Sequence, residues 1–244
     1  MKLVVVGCSP AWHNPGGAQS GYLIEGDEPG EGEGRLLLDC GPGVLAQLRA
    51  RAVWPDVNAV VITHFHLDHW GDLVPWTFGA LYGPGRAIAP VPELWLPPGG
   101  SDTLRSFTSK LSANPLFQAF SVREYTEGTP FRAAGFEVVA RQVLHYDLLT
   151  FGLRVSNGTR TLAYSGDSAP CAALPEVARD ADLFVCEATL AQPEPALRGH
   201  LTEQEALAAY RESGAKRLLI VHRPDELPLA EAAERAWDGF ETLV

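Results

Sequence analysis

Thr63-His64-Phe65-His66-Leu67-Asp68-His69 places three histidines and an aspartate directly after an apolar run, Ala59-Val60-Val61-Ile62-Thr63. The run has the unbroken hydrophobicity of a buried strand. Residues two apart in an extended segment point the same way, so His64 and His66 can close on one metal ion. A helix predicted to begin near Asp68 turns Asp68 and His69 elsewhere, where they can hold a second ion. Neutral imidazole with carboxylate is a donor set that suits zinc, with manganese or iron as alternatives. A solvated histidine-rich loop is the plainer reading, but a cluster this dense beside a buried strand argues against it.

A two-ion site needs about three further ligands from elsewhere in the chain. His145 follows the run ending at Leu144, Asp167 lies in Tyr164-Ser165-Gly166-Asp167-Ser168, and His222 closes Leu218-Leu219-Ile220-Val221. Alone, each reads as an ordinary hydrogen-bonded histidine or a turn aspartate. Together they stand at the C-terminal ends of predicted strands, where a sandwich of sheets would gather them.

Outward from this cluster, residues 3–6, 21–25 and 35–39 read as strands, and Gly41-Pro42-Gly43 opens a helix to about residue 52. The polar stretch from Gly26 to Gly34 reads as a hairpin tip. Further strands are predicted at 93–96, 120–124 and 136–144, with a helix over 102–111. Strands at 148–155 and 161–164 flank Asn157-Gly158, a tight-hairpin signal. The remainder alternates strand and helix: 182–186, 202–211, 217–221 and 229–237. Strand-rich halves with interspersed helices predict a two-sheet α/β sandwich rather than one doubly wound sheet.

The chain has 244 residues, 46% hydrophobic and 20% charged, which excludes wholesale disorder and is expected to form one domain over 1–244. No apolar run is long enough to span a membrane, and Met1-Lys2-Leu3-Val4-Val5-Val6-Gly7 lacks a signal-peptide core, so a cytoplasmic protein with no membrane partner is expected. The net charge of −11 argues against nonspecific nucleic-acid binding. Bound divalent metals could still make one cleft locally positive. Cys8, Cys40, Cys171 and Cys186 form no C-x-x-C pair, so reduced thiols are expected.

With these residues in place, the sequence resembles the metallo-β-lactamase superfamily. His64 to His69 match its H-x-H-x-D-H motif, and His145, Asp167 and His222 match its later ligands in order. The resemblance runs from the first strand through His222. It implies an α/β fold, a four-layer αββα sandwich with metals at one edge between the sheets. It also implies that His64, His66 and His145 hold one divalent ion, that Asp68, His69 and His222 hold the other, and that Asp167 bridges them.

Two loops narrow the resemblance to the tRNase Z branch. Cys186-Glu187-Ala188-Thr189 resembles its H-E-A-T loop with cysteine in place of histidine, and Gly199-His200-Leu201-Thr202 resembles its H-S-T loop. Thr202-Glu203-Gln204-Glu205 also has the capping-box pattern. His200 therefore sits just outside a helix N-terminus, where exposed N–H groups favour a phosphate. His200 becomes the candidate proton donor and Glu187 its orienting partner, unless Glu187 pairs with an arginine. Asp68 is expected to orient the nucleophile as well as bind metal.

Two departures matter. That branch carries a P-x-K-x-R-N loop for the RNA end, whereas this chain has Pro15-Gly16-Gly17-Ala18-Gln19-Ser20. It also inserts a tRNA-gripping arm between its third histidine and bridging aspartate, and the interval from His145 to Asp167 leaves no room for one. The H-x-H-L-D-H form, with Leu67, instead resembles class II cyclic-nucleotide phosphodiesterases. The leading expectation is a dinuclear phosphodiesterase acting on a small nucleotide. An RNA 3′-end nuclease, a thioester or lactam hydrolase, and a metal-binding module without turnover are the alternatives, tRNA is the less favoured substrate, and a homodimer is left open. Trp12, Trp70 and Trp76 are either base-stacking residues or core.

Overall fold

Along the short apolar runs successive side chains face opposite ways, and both faces are buried. Leu3 and Val5 enter one core while Val4 and Val6 enter another, and the same division separates Leu36 and Leu38 from Leu37, and Val61 from Val60 and Ile62. Leu162, Leu183 and Leu219 likewise share the first core, whereas Ala163, Phe184 and Ile220 enter a third. A period-2 pattern with no solvated face requires a layer on each side of each sheet.

The structure is a computed structural model that describes residues 1–26, 34–83, 91–111, 115–230 and 233–244. In chain order its elements are β1 (Lys2–Gly7), β2 (Gly21–Glu25), β3 (Arg35–Leu38), α1 (Val44–Ala50), β4 (Ala59–Val61), α2 (Leu67–Trp70), α3 (Leu73–Tyr82), β5 (Glu93–Leu96), α4 (Gly100–Thr108), α5 (Leu116–Ala119) and β6 (Ser121–Glu124). The second half adds β7 (Phe131–Ala133), β8 (Phe136–His145), β9 (Leu148–Ser156), β10 (Thr161–Tyr164), α6 (Ala173–Ala178), β11 (Leu183–Glu187), α7 (Glu203–Ser213), β12 (Leu218–Val221), β13 (Glu234–Arg235) and β14 (Glu241–Leu243).

These strands form two seven-stranded sheets, ordered β14-β1-β2-β3-β4-β5-β6 and β13-β12-β11-β10-β9-β8-β7. The central core lies between them. Leu45, Leu48, Leu73, Trp76 and Leu104 of the first-half helices cover the outer face of one sheet. Leu174 and Val177 of α6 and Ala206 and Leu207 of α7 cover the other. The expected αββα sandwich in a single domain is therefore the observed fold. Each fully buried aliphatic side chain in these three cores stabilises the fold by about 1.5–3 kcal/mol.

β10, β11 and β12 run parallel, and β8 and β10 are each antiparallel to β9. β8, β10, β11 and β12 therefore end at the same edge of their sheet. That edge is where His145, Asp167, Glu187 and His222 emerge.

Several sequence expectations change in detail. The helix expected over 102–111 begins at Gly100 and its last turn, Ser109–Leu111, tightens to a 3-10 helix. The hairpin at Asn157-Gly158 closes through residues 157–160, where Asn157 Oδ1 accepts hydrogen bonds from the backbone N–H groups of Thr159 and Arg160, and β9 runs one residue further than expected, to Ser156. The helix expected over 229–237 is not formed: Glu234 and Arg235 make a strand beside Leu219 and Ile220, and the described residues around them are irregular. Arg235 donates to the Asp225 carboxylate, and Ala236 is buried in the central core, so sheet-edge pairing outweighs the helical propensity of the alanines. β7, β14, α5 and α6 were not anticipated. Most of the tip between Gly26 and Gly34, and residues 231–232, lie outside the described residues, although β2 and β3 do pair antiparallel as a hairpin would. All four cysteines are free. Among the described residues no helix is long and apolar enough to cross a membrane.

Candidate active site

After β4 residues 62–65 lie outside regular secondary structure, His66 is extended with φ −69° and ψ 142° and caps α2, and Asp68 and His69 then lie in the first turn. The switch from strand to helix separates the His64/His66 pair from the Asp68/His69 pair. His145 is the last residue of β8, Asp167 follows a left-handed Gly166 after β10, and His222 follows β12 with φ 50°.

All seven expected metal-ligating residues come together around the Asp167 carboxylate. Asp167 Oδ2 lies 3.2 Å from His69 Nε2, 3.7 Å from His222 Nε2, 3.8 Å from His64 Nε2 and 3.9 Å from His145 Nε2. Asp68 Oδ2 is 3.2 Å from His222 Nε2 and 3.4 Å from His69 Nε2. The donors fall into two groups, His64-His66-His145-Asp167 and Asp68-His69-Asp167-His222, each within 4.8 Å and both containing Asp167.

Whether a cation fits here is answered by what the donors lack. His64 Nε2, His69 Nε2 and Asp167 Oδ1 are buried and make no hydrogen bond. Buried polar atoms are ordinarily paired, and three orphans converging on one point fit a divalent ion. The opposite edges of the rings are anchored. His69 Nδ1 meets Asp39 Oδ2 at 2.8 Å, His145 Nδ1 meets the Gly199 carbonyl at 2.6 Å, and His64 and His222 Nδ1 meet the hydroxyls of Thr63 and Thr189 at 3.0 and 2.8 Å. Such contacts fix ring orientation and leave Nε2 facing inward. His66 differs, its Nδ1 lying 2.9 Å from His145 Nε2.

Protonation follows the same geometry. Burial and the neighbouring His69 hold His64 well below its ordinary pKa, in the neutral form a metal needs. His69 is pushed the other way: burial opposes its cation, but Asp167, Asp39 and Asp68 outweigh burial. Burial likewise opposes the Asp167 carboxylate, yet His222 and His69 hold it well below the usual range. A divalent ion would take over the charge balance that the His69 proton supplies.

His200 and Glu187 form the expected pair. His200 Nδ1 lies 2.9 Å from Glu187 Oε1, and the same carboxylate accepts hydrogen bonds from Ser168 N, Thr189 N and Thr189 Oγ1. None of these contacts is an arginine. Burial disfavours the His200 imidazolium, but Glu187 and then Asp167 overcome it and push its pKa up to about 9.

Asp39, Thr189 and Tyr146 escaped sequence reasoning. Asp39, buried at φ 58°, accepts from Thr63 N, Thr63 Oγ1 and Tyr164 Oη as well as facing His69. Its signal was a charged residue ending the apolar run Leu36-Leu37-Leu38. Tyr146 donates to Glu194, whose other oxygen accepts from Gly199 N. Gly199 must be glycine there, since a Cβ would lie 2.2 Å from the Tyr146 ring.

His66, Asp68, Asp167, His200 and His222 line one cavity of about 710 Å³, within the range of small-ligand sites. None of its described lining residues is a lysine or arginine. Trp12 lines it, whereas Trp70 and Trp76 are buried in the core.

The model of the β-lactamase superfamily domain matches residues 34–223. The chain is 29% identical to the probable metallo-hydrolase YhfI of Bacillus subtilis, over 92% of this chain and 87% of that protein. The crystal structure of that metallo-β-lactamase fold protein superposes with a TM-score of 0.81 at 24% identity, covering 99% of both chains. A ribonuclease Z of Salinibacter ruber is 28% identical, over 84% of this chain and 82% of that one. That alignment runs to 267 positions, more than the 244 residues of this chain, so the relative carries residues without a counterpart here. Human tRNase Z, short form, superposes with a TM-score of 0.74 at 23% identity, covering 100% of this chain and 99% of that one.

Proposed function

This chain belongs to the β-lactamase superfamily, and from that premise we propose that residues 1–244 form one metal-dependent phosphodiesterase acting on a small nucleotide such as a cyclic nucleotide. The observation that carries the reading is the Asp167 carboxylate shared by two donor groups, with His200 on the same cavity wall. His64, His66 and His145 would hold one divalent ion and Asp68, His69 and His222 the other, with zinc the first choice and manganese or iron next. Two such ions, if bound there, would supply Lewis-acid stabilisation and lower the pKa of a water toward about 7.

The chain's own groups do the rest. Asp68, which faces the cavity, accepts a hydrogen bond from the attacking water and orients it. His200 donates its Nε2 proton to the leaving ribose oxygen, while Glu187 holds the ring through Nδ1 and favours its cationic form. Asp39 and Thr189 keep His69 and His222 in place. A cavity with no lysine or arginine among its described lining residues suits a single phosphodiester better than a long polyanion. Four free thiols accord with a reducing, cytoplasmic setting.

The likeness to ribonuclease Z favours a second reading, an RNA 3′-end nuclease. Against it stand the absence of Lys and Arg in Pro15 to Ser20 and the interval between His145 and Asp167, which β9, its turn and β10 account for. Metal-loaded protein should be assayed on a cyclic nucleotide, bis-p-nitrophenyl phosphate and an unprocessed tRNA. Hydrolysis of the small diesters with slow or absent tRNA cleavage is expected, and efficient site-specific trimming of the tRNA would reverse the order.

A further inference from the structure

Trp12 stands 55% exposed, whereas Trp54, Trp70 and Trp76 are buried. It does not ride on a loose tip. The Asp238 carboxylate accepts from Cys8 N at 3.2 Å and Ala18 N at 2.6 Å, and Ser9 N donates to the Ala18 carbonyl. Asn14 Nδ2 donates to the Arg223 carbonyl while Asn14 Oδ1 accepts from Asp225 N, and Gln19 Nε2 donates to the carbonyl of Ala11. The loop is thus tied on both sides of Trp12, one tie at the neighbouring residue, and two others to the segment that follows His222.

The cavity that Trp12 lines has two chemical halves. One carries the imidazoles and carboxylates described above. The other is apolar, with Trp12, Pro42 and the half-exposed Leu67. An indole carried on a tied-down loop beside a phosphate-sized polar centre, with no lysine or arginine among the described residues that line the cavity, is matched by a flat, uncharged ring attached to a phosphate. We infer that Trp12 is a specificity-determining residue that stacks on the nucleobase of the substrate, which makes the site selective for nucleoside phosphates over other phosphate esters. The inference rests on the phosphodiesterase reading for the place of the phosphate. Aromatic–base stacking of this kind is worth about tenfold in affinity and tolerates any base, because every base has a π face.

Binding separates the two claims. Isothermal titration of metal-loaded protein with adenosine 5′-monophosphate and with ribose 5-phosphate should give wild type a preference of about tenfold for the base-bearing ligand. Trp12→Phe should keep most of that preference. Trp12→Ala should lose it while binding ribose 5-phosphate as before, and should raise KM for a cyclic nucleotide with little change in kcat. A wild type indifferent to the base, or a Trp12→Ala variant that keeps the preference, overturns the inference. A base preference lost with Trp12 in a protein that hydrolyses no phosphodiester supports stacking and instead removes the proposed reaction.

Discussion

His200 lines the cavity while its Nδ1 is engaged by Glu187, which leaves Nε2 as the only ring nitrogen able to pass a proton to substrate. An alkoxide leaves poorly without that proton, whereas p-nitrophenolate leaves readily. His200→Ala should therefore cut turnover of a nucleotide ester by about 10²-fold or more and largely spare a p-nitrophenyl ester, with metal content unchanged. Equal losses on both substrates would assign His200 to phosphate positioning, and lost metal would make it a ligand. Asp39 is the complementary case. Its residue type in the apolar run was visible in the sequence, but its role depends on Thr63 and His69 of the 63–69 stretch and on Tyr164 at the end of β10.

Among the elements, α7 is the one whose start the sequence states outright. Thr202 Oγ1 accepts from Glu205 N, and Glu205 Oε2 accepts from Thr202 N, the reciprocal capping box. Glu205 also takes both guanidinium nitrogens of Arg198 at 2.8 Å, tying the His200 loop to the helix. Thr202→Ala should cost about 1 kcal/mol, a fall in Tm of roughly 2–4 °C for a chain this long. Activity should persist, because the Arg198–Glu205 pair and the Glu194 contacts to Gly199 and His200 remain. Thermal scans with parallel kinetics check both halves of that statement. The 229–237 segment went the other way, since its fate was set by the open edge of β12 rather than by its own alanines.

For the whole molecule, the buried carboxylates Asp39, Asp68 and Asp167 and the orphaned Nε2 atoms of His64 and His69 converge between the sheets. Burying such groups is costly unless a cation compensates. Elemental analysis should find about two transition-metal ions per chain. Removing both with EDTA should lower Tm by roughly 15 °C relative to protein saturated at a thousandfold excess over the dissociation constant, with far-ultraviolet circular dichroism at room temperature unchanged. A Tm indifferent to chelation would count against the metal assignment. The sequence by itself determined the identity and order of the donors, the strand-to-helix switch that splits them into two pairs, the helix cap beside His200 and the two-sheet architecture. All of these follow from local periodicity, spacing and side-chain chemistry. Only the tertiary structure decided that Asp167 Oδ2 sits among four imidazoles, that Glu187 faces His200, that Asp39 anchors His69, and that Trp12 rather than Trp70 or Trp76 borders the cavity. These depend on strands far apart in the chain ending at one edge, and a distance between such ends is set by packing that no local pattern records.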